Sequence, residues 1–396
     1  MDLTIDDTFK TRLQSIEQFV KQKVIPLEPL LLNHQWSELM TAIGDLQAEV
    51  KSLGLWAPHL PSSLGGSFTS LVNLGLIAEI LGQSPIGHIT FGCQAPDAGN
   101  AELLHLFGTA DQQQKWLRPL AKGDIRSCFA MTEPHTAGSN PTLLDSSAIL
   151  ENDEWVINGR KWFTSSAEGS QFTIAMVVTD PEAAKHVRAS MIIVPLDNPG
   201  YRLIRNIPVM GHAGFGYFSH AEVEFNDCRV PAANLLGKRG QGFALAQERL
   251  GPGRIQHCMR WLGIGKRSLE LMCRYVKQRQ ISQHQTLADQ QLMQAMIADS
   301  AAEMAAARAL VLETAWRVEN EGFKQARDQV ALIKFFTANI LQKVVDRALQ
   351  SHGALGMTDD TMLSYFYREE RAARIYDGPD EVHRLSVARK ILKAYD

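Results

Sequence analysis

Asp377 sits in the stretch Arg371-Ala372-Ala373-Arg374-Ile375-Tyr376-Asp377-Gly378-Pro379-Asp380-Glu381-Val382-His383-Arg384, a carboxylate at a forced break between two helical patterns. Gly378 and Pro379 end the pattern that runs from Met362 to Arg374. Pro379 suits the first turn of a new helix, with Asp380 and Glu381 where the helix dipole favours negative charge. On local chemistry alone Asp377 reads as a turn or capping residue, and a role in chemistry needs support from elsewhere in the chain. A second candidate is Cys128-Phe129-Ala130-Met131-Thr132-Glu133-Pro134-His135-Thr136-Ala137-Gly138-Ser139-Asn140, a strand entering a Gly/Ser-rich turn. Backbone N–H groups at such a turn can approach a phosphate, and the strand end at Met131-Thr132 can hydrogen-bond a planar ring; an ordinary strand-to-loop corner has the same appearance. The third is Asn158-Gly159-Arg160-Lys161-Trp162-Phe163-Thr164-Ser165-Ser166. If Trp162 and Phe163 lie on a strand they point to opposite faces, one into a core and the other over a flat ligand, and core filling by both is the alternative.

Three kinds of patterning position these stretches. From Phe9 to about Lys122 apolar residues recur at helical spacing, with Phe9, Leu13, Ile16 and Val20 in one segment and Trp36, Leu39, Ile43, Leu46 and Val50 in the next. After Arg126 the pattern changes to short apolar or alternating runs: Ser127–Met131, Ser147–Leu150, Glu154–Ile157, Lys161–Thr164, Phe172–Val178, Met191–Leu196, Tyr201–Ile204 and Ala221–Phe225. Asn152-Asp153 and Asn158-Gly159 are hairpin signals between them. From about Gly242 helical periodicity returns, in Met259–Val276, Ala288–Val318, Arg327–Gln350 and Pro379–Ala394. The Ala-rich run from Ala301 to Ala309 suggests close helix contact, including contact between subunits. The expected fold is an α+β multidomain chain: an N-terminal α-helical domain over 1–125, a middle β-barrel or sandwich domain over 126–238, and a C-terminal four-helix-bundle-like domain over 239–396.

Composition narrows the partners. The 396 residues carry 40 Lys and Arg against 43 Asp and Glu, without a long basic block, which disfavours nucleic acid and anionic membrane. The five cysteines are scattered without Cys-x-x-Cys spacing, which argues against a disulfide framework and a zinc site and for free thiols. Neither a leader-type N-terminus nor an eighteen-residue apolar run is seen, so a soluble intracellular, cytoplasmic location is expected.

Taken in order, the helical region, the β unit opening with Ala130-Met131-Thr132-Glu133-Pro134 and Ala137-Gly138-Ser139, the Asn158-Gly159-Arg160-Lys161 segment, the helical bundle and the closing Ile375-Tyr376-Asp377-Gly378 resemble the acyl-CoA dehydrogenase family over essentially the whole chain. Arg249-Leu250-Gly251-Pro252-Gly253-Arg254-Ile255, His257-Cys258-Met259-Arg260 and Asp377-Gly378-Pro379-Asp380-Glu381-Val382-His383 resemble the branch of family members 10 and 11.

The resemblance implies FAD. Phe129 to Thr132, Met131 among them, would lie along the flavin with Thr132 bonding the ring. Gly138 and Ser139 would lie near the pyrophosphate, and Phe163 and Ser165 at the flavin face. Arg279, Gln350, Gly353 and Gly356 would reach the FAD of a neighbouring subunit, in a homodimer or homotetramer. It also implies an activity, α,β-dehydrogenation of an acyl-CoA to a 2,3-enoyl-CoA in fatty acid metabolism or β-oxidation, with electrons passed to an electron-transfer flavoprotein. Asp377 would be the catalytic base and Arg254 a positioning or electrostatic residue beside it. Flavin oxidases of the same fold, acting on an acyl-CoA or a nitroalkane, and a decayed flavin-binding interaction protein are the alternatives. The sequence departs from the family pattern in having Asp377 where most members have Glu, Gly253 where some carry the base, Phe163 where Trp is common, Ser282 where an aromatic is frequent, and Asn140 for Asp.

Overall fold

The computed structural model describes residues 5–395, apart from the side chains of Leu250 and Pro252. Helices α1 (Asp7–Phe19), α2 (Trp36–Ser52), α3 (Leu71–Leu81), α4 (Asp97–Phe107), α5 (Gly242–Gln278), α6 (Gln291–Glu321), α7 (Phe323–His352), α8 (Met362–Glu370) and α9 (Asp380–Lys393) flank a run of strands in the middle of the chain. Contacts divide the chain into two compact units. One comprises residues 1–58, 68–91 and 251–396; the other comprises 59–67 and 92–250.

The first unit is helical. Caps start its helices where the sequence supplies an oxygen: Asp6 accepts from the Phe9 N–H ahead of α1, and Ser70 from Asn73 ahead of α3. Two long helices, α6 and α7, are joined through the single residue Gly322, and α7 packs against α6, α8 and α9. Its buried stripe Val330, Ile333, Lys334, Thr337, Ala338 and Leu341 is apolar except for one lysine and one threonine. The helix α5 runs unbroken through Gly251-Pro252-Gly253, earlier than the Met259 start that its apolar spacing suggests. At Gly251 a Cβ would come 2.6 Å from the Phe323 ring, so the small residue there serves close packing and not a helix end. Of the alanines between 301 and 309 only Ala307 is buried, so most of that stripe faces outward on the single chain.

The second unit is built on a mixed sheet. Its strands are β1 (Ser127–Ala130), β2 (Ser147–Glu151), β3 (Glu154–Ser165), β4 (Phe172–Val178), β5 (Ala189–Pro195), β6 (Tyr201–Asn206), β7 (His220–Pro231) and β8 (Leu235–Leu236), ordered β6-β7-β3-β2-β4-β5-β8, with β1 added beside β4. The pairings of β1 and β2 with β4 are parallel and the others antiparallel. Every residue of β4 is buried, as a central strand covered on both faces requires. Helix α4 fixes the start of β1: Asp97 accepts from the Ser127 N–H and hydroxyl at 2.6 and 2.7 Å, and Asn100 donates to the Cys128 carbonyl at 2.9 Å.

One hairpin signal is right and the other is not. Asn152 and Asp153, both at positive φ, turn β2 into β3. Asn158-Gly159 makes no hairpin; it lies inside the single strand β3, at a bulge opposite β7. Gly159 has φ +142°, and a Cβ there would fall 2.7 Å from the Ser146 backbone, so the glycine serves a bulge and a close strand crossing.

Candidate active site

In the first unit the turn between α8 and α9 is left-handed at two consecutive residues, Asp377 (φ +55°) and Gly378 (φ +100°). Asp is among the few side chains that visit this region with some frequency, because its short polar group can hydrogen-bond locally and offset the clash of Cβ with the backbone carbonyl. At Gly378 a Cβ would come 2.7 Å from the His383 ring, so glycine is required twice over.

The turn is held through its carbonyls. Arg254 Nε donates to the Asp377 carbonyl at 3.1 Å, His383 Nε2 donates to the same oxygen at 3.0 Å, and Lys334 Nζ donates to the Gly378 carbonyl at 2.6 Å. The capping role suggested for Asp377 is not seen: α9 has Pro379 at its N-cap and no side-chain cap. Instead the Asp377 carboxylate lies 3.5 Å from His257 Nε2, with about a fifth of each side chain exposed.

Helix α5 supplies the facing stripe. Arg254, His257 and Trp261 recur at helical spacing, and all three contact the turn. Trp261 Nε1 and Arg260 Nη2 both donate to the Tyr376 hydroxyl, at 2.9 and 2.8 Å, and Arg260 is clamped in turn by Glu370, with 2.9 Å for one of its two bonds. His257 and Trp261 stack at 6.1 Å, and the Tyr376 ring packs against both.

Burial shapes the charges here. Lys334 is fully buried, and desolvation brings its ammonium down to about 8 even though Asp377 and Asp380 favour the charged form. Desolvation, aided by the cations Arg254 and Lys334, takes His383 down to about 4, so it is a neutral N–H donor near pH 7. The Cys258 thiol is pushed up to about 12 by burial and stays protonated. The result is one partly exposed carboxylate on a rigid turn, surrounded by donors and two cations, an arrangement suited to accepting a proton.

The second unit brings together the other candidate group. Beyond β1, Met131, Thr132, Glu133, Ala137 and Gly138 line a small cleft. The strand end is pinned from beneath by the buried Lys161, whose Nζ donates to the Met131 carbonyl at 2.9 Å and to Glu133 at 2.7 Å. Glu133 also accepts the N–H groups of Asp145 and Ser146. Burial opposes its charge, but Lys161 and these backbone donors outweigh that and hold the carboxyl below its usual range.

Trp162 and Phe163 do not alternate across the sheet as expected. A second bulge falls between Lys161 and Thr164, Phe163 has φ +48°, and the two rings touch edge to face at 5.1 Å with neither in the core. Lys161 and Thr164 take the inward positions instead. Phe163 is 44% exposed. Thr132 Oγ1 donates to the Trp162 carbonyl at 2.9 Å, so its oxygen is left as an acceptor. Ser165 bonds His220, and Arg249 lies over the Phe129 ring at 4.3 Å. Exposed Gly138 and Ser139, an accessible aromatic and an open strand end are the surface that a flavin nucleotide requires, and the residues fit that group.

The remaining predicted residues belong to the first unit. Arg279, Gln350 and Gly353 are exposed, Gly356 is buried, and Gly353 has positive φ at the end of α7. Lys334 was not singled out from the sequence, and His257, Tyr376 and His383 were quoted only within motifs. A signal existed for Lys334, a lysine on the apolar stripe of a helix, and for His257, which shares a face with Arg254 and Trp261. None existed for His383. Among the described residues no group of three or more His, Cys, Asp or Glu is placed to hold a metal ion, all five cysteines are free, and no helix is long and apolar enough to cross a membrane.

Helical segments before and after a mixed sheet, a carboxylate on a cation-lined turn of the first unit, and an exposed aromatic and a Gly/Ser turn in the second suit a flavin-dependent oxidoreductase. Comparison with known proteins gives the family. The N-terminal, middle and C-terminal domain models of acyl-CoA dehydrogenase match residues 7–124, 128–228 and 240–392. The "Probable acyl-CoA dehydrogenase FadE2" of Mycobacterium tuberculosis is 45% identical over 88% of this chain and 84% of its own length. Mouse acyl-CoA dehydrogenase family member 10 is 42% identical over 96% of this chain, which spans only 36% of that relative; human family member 11 is 37% identical, and the chain spans 50% of its length. A solved structure from Mycobacterium abscessus assigned to the acyl-CoA dehydrogenases superposes with a TM-score of 0.94 at 36% identity, covering 100% of both chains. The chain belongs to the acyl-CoA dehydrogenase family, whose members are FAD-dependent enzymes.

Proposed function

We propose that the protein converts an acyl-CoA thioester to its 2,3-enoyl-CoA, with Asp377 removing the α-proton. The observation that carries this reading is the Asp377 turn: its carbonyls are tied down by Arg254, His383 and Lys334, while its carboxylate remains partly exposed. Bound FAD supplies the acceptor for the β-hydrogen as hydride. The chain's residues do the rest. Three donors on two carbonyls fix where the carboxylate pivots, and proton transfer is sensitive to displacement on the scale of an ångström. Lys334 and Arg254 put positive charge where negative charge develops as the α-proton leaves. The Asp377 N–H, as in the family, polarises the thioester carbonyl.

In this reading Phe129, Met131, Thr132, Gly138, Ser139, Phe163 and Ser165 hold the flavin of their own chain. Arg279, Gln350, Gly353 and Gly356 serve the flavin of a second copy, in a homodimer or homotetramer. Electrons leave to an electron-transfer flavoprotein, in a soluble protein of the cell interior whose domains span 1–125, 126–238 and 239–396. The test is anaerobic bleaching of the flavin by a panel of straight, branched and hydroxylated acyl-CoAs. Bleaching by at least one member is expected. No response to any of them, with peroxide formed from a nitroalkane in air, would replace this reading with an oxidase.

A further inference from the structure

The motif His257-Cys258-Met259-Arg260 marks the sequence without having a role in the chemistry above, yet it brings an imidazole to the carboxylate. His257 Nε2 is 3.5 Å from Asp377 Oδ2, just beyond ordinary hydrogen-bond length. The ring cannot swing far. It is stacked on Trp261 and packed at 5.3 Å against Tyr376, whose hydroxyl is itself fixed by Arg260 and Trp261. One turn earlier on α5, Gly253 leaves open space where a side chain would stand.

We propose that His257 is the positioning residue for Asp377, holding its carboxylate through Nε2, so that the protonation of His257 governs how the carboxylate acts as a base. The proposal rests on Asp377 as the base. It accounts for a short carboxylate in place of a longer one: an Asp in a left-handed turn has little reach, and a ring anchored on the opposite helix fixes the orientation that a longer side chain would reach for itself. Among the described neighbouring groups Lys334, brought down to about 8 by desolvation, changes charge on the alkaline side, and the acid side is left to His257. On α5, Arg254 and Arg260 are cations engaged by the Asp377 carbonyl and by Glu370 of α8, and Cys258 is a protonated thiol. On α7 Lys334 is bonded to Gly378, and on α9 His383 is neutral and Asp380 is bonded to Asn339 and Arg374. Tyr376 is kept as a phenol by burial. When His257 is protonated it forms an ion pair with Asp377 and makes the carboxylate a weaker base; when neutral it orients the carboxylate without that penalty.

The test uses the FAD-bound enzyme and two readouts. The first needs no turnover: in protein with labelled histidine rings, the His257 resonance, assigned by its absence in His257→Gln, should titrate roughly one unit higher in the wild type than in Asp377→Asn. The second is the rate of anaerobic flavin reduction by the most effective acyl-CoA across roughly pH 5 to 9, which brackets the ordinary histidine value near 6.5. His257→Phe, which keeps the ring packing, should lower that rate about 100-fold. His257→Gln, which keeps a donor, should recover about tenfold of that loss while losing the wild-type fall on the acid side. An unchanged His257 titration in Asp377→Asn, or a wild-type acid limb in His257→Gln, overturns the proposal. Undiminished flavin reduction in Asp377→Asn would instead overturn the reading of Asp377 as base, while the titration would still report whether the pair is coupled.

Discussion

Two regions pair a carboxylate with a fully buried lysine and use them in opposite ways. In the second unit Lys161 bonds Glu133 directly, and Glu133 spends both oxygens on Lys161 and on the Asp145 and Ser146 N–H groups. In the first unit Lys334 bonds a backbone carbonyl beside Asp377, and the carboxylate keeps only the distant His257 among its described side-chain partners. A satisfied carboxylate is scaffold. One whose backbone is pinned while its oxygens stay partly exposed is, on the proposed function, the base. Residue type does not separate the two cases; the bonding of the oxygens does.

The sharpest way to break this comparison is to cut the scaffold pair. Lys161→Met leaves a buried carboxylate without its cation and should cost about 3–5 kcal/mol, read by denaturant unfolding. If the melting point does not move, Glu133 and Lys161 are not scaffold. Next is Gly378→Ala, which meets the His383 ring and a strained φ together; a loss of about 1–3 kcal/mol and a slower flavin reduction are expected. Normal activity in that variant would show that the turn geometry does not matter. Arg254→Lys keeps the charge but loses the Nε contact to the Asp377 carbonyl, and should slow flavin reduction about tenfold with little change in stability.

The smallest effect is a pH dependence of the scaffold. Because the folded Glu133 carboxyl lies below its usual range, its stabilisation is present above the ordinary carboxylate range and fades as pH falls through the folded value. Urea unfolding followed from about pH 7 down to about pH 3, below the ordinary carboxylate range, should lose that contribution in the wild type, and the slope should flatten in Glu133→Gln.

The two regions also differ in how far the sequence reveals them. The order of Ala130–Pro134, Ala137–Ser139 and Ile375–Gly378 was enough to indicate the fold and to single out Asp377 as the candidate, and Asn152-Asp153 announced its turn by residue type. Asn158-Gly159 carried the same turn chemistry yet lies in a strand, because its glycine answers a crossing with Ser146, which local spacing does not encode. The apolar spacing showed helix only from Met259, whereas the helix already runs from Gly242 through Gly251-Pro252-Gly253. Lys334 reaches Gly378 over forty-four residues, a contact that depends on helix packing no local pattern states, whereas His383 reaches back only six residues from the first turn of α9, a contact set by the left-handed backbone of the turn. The Trp162–Phe163 bulge likewise depends on register with β7.

The most direct test of the central claim sets Asp377→Asn beside Glu133→Gln. With the most effective acyl-CoA under anaerobic conditions, Asp377→Asn should lower the rate of flavin bleaching by about 10²–10⁴-fold while retaining bound FAD and wild-type unfolding. Glu133→Gln should lower stability and leave the bleaching rate per bound FAD within about threefold. Wild-type bleaching by Asp377→Asn would contradict the account.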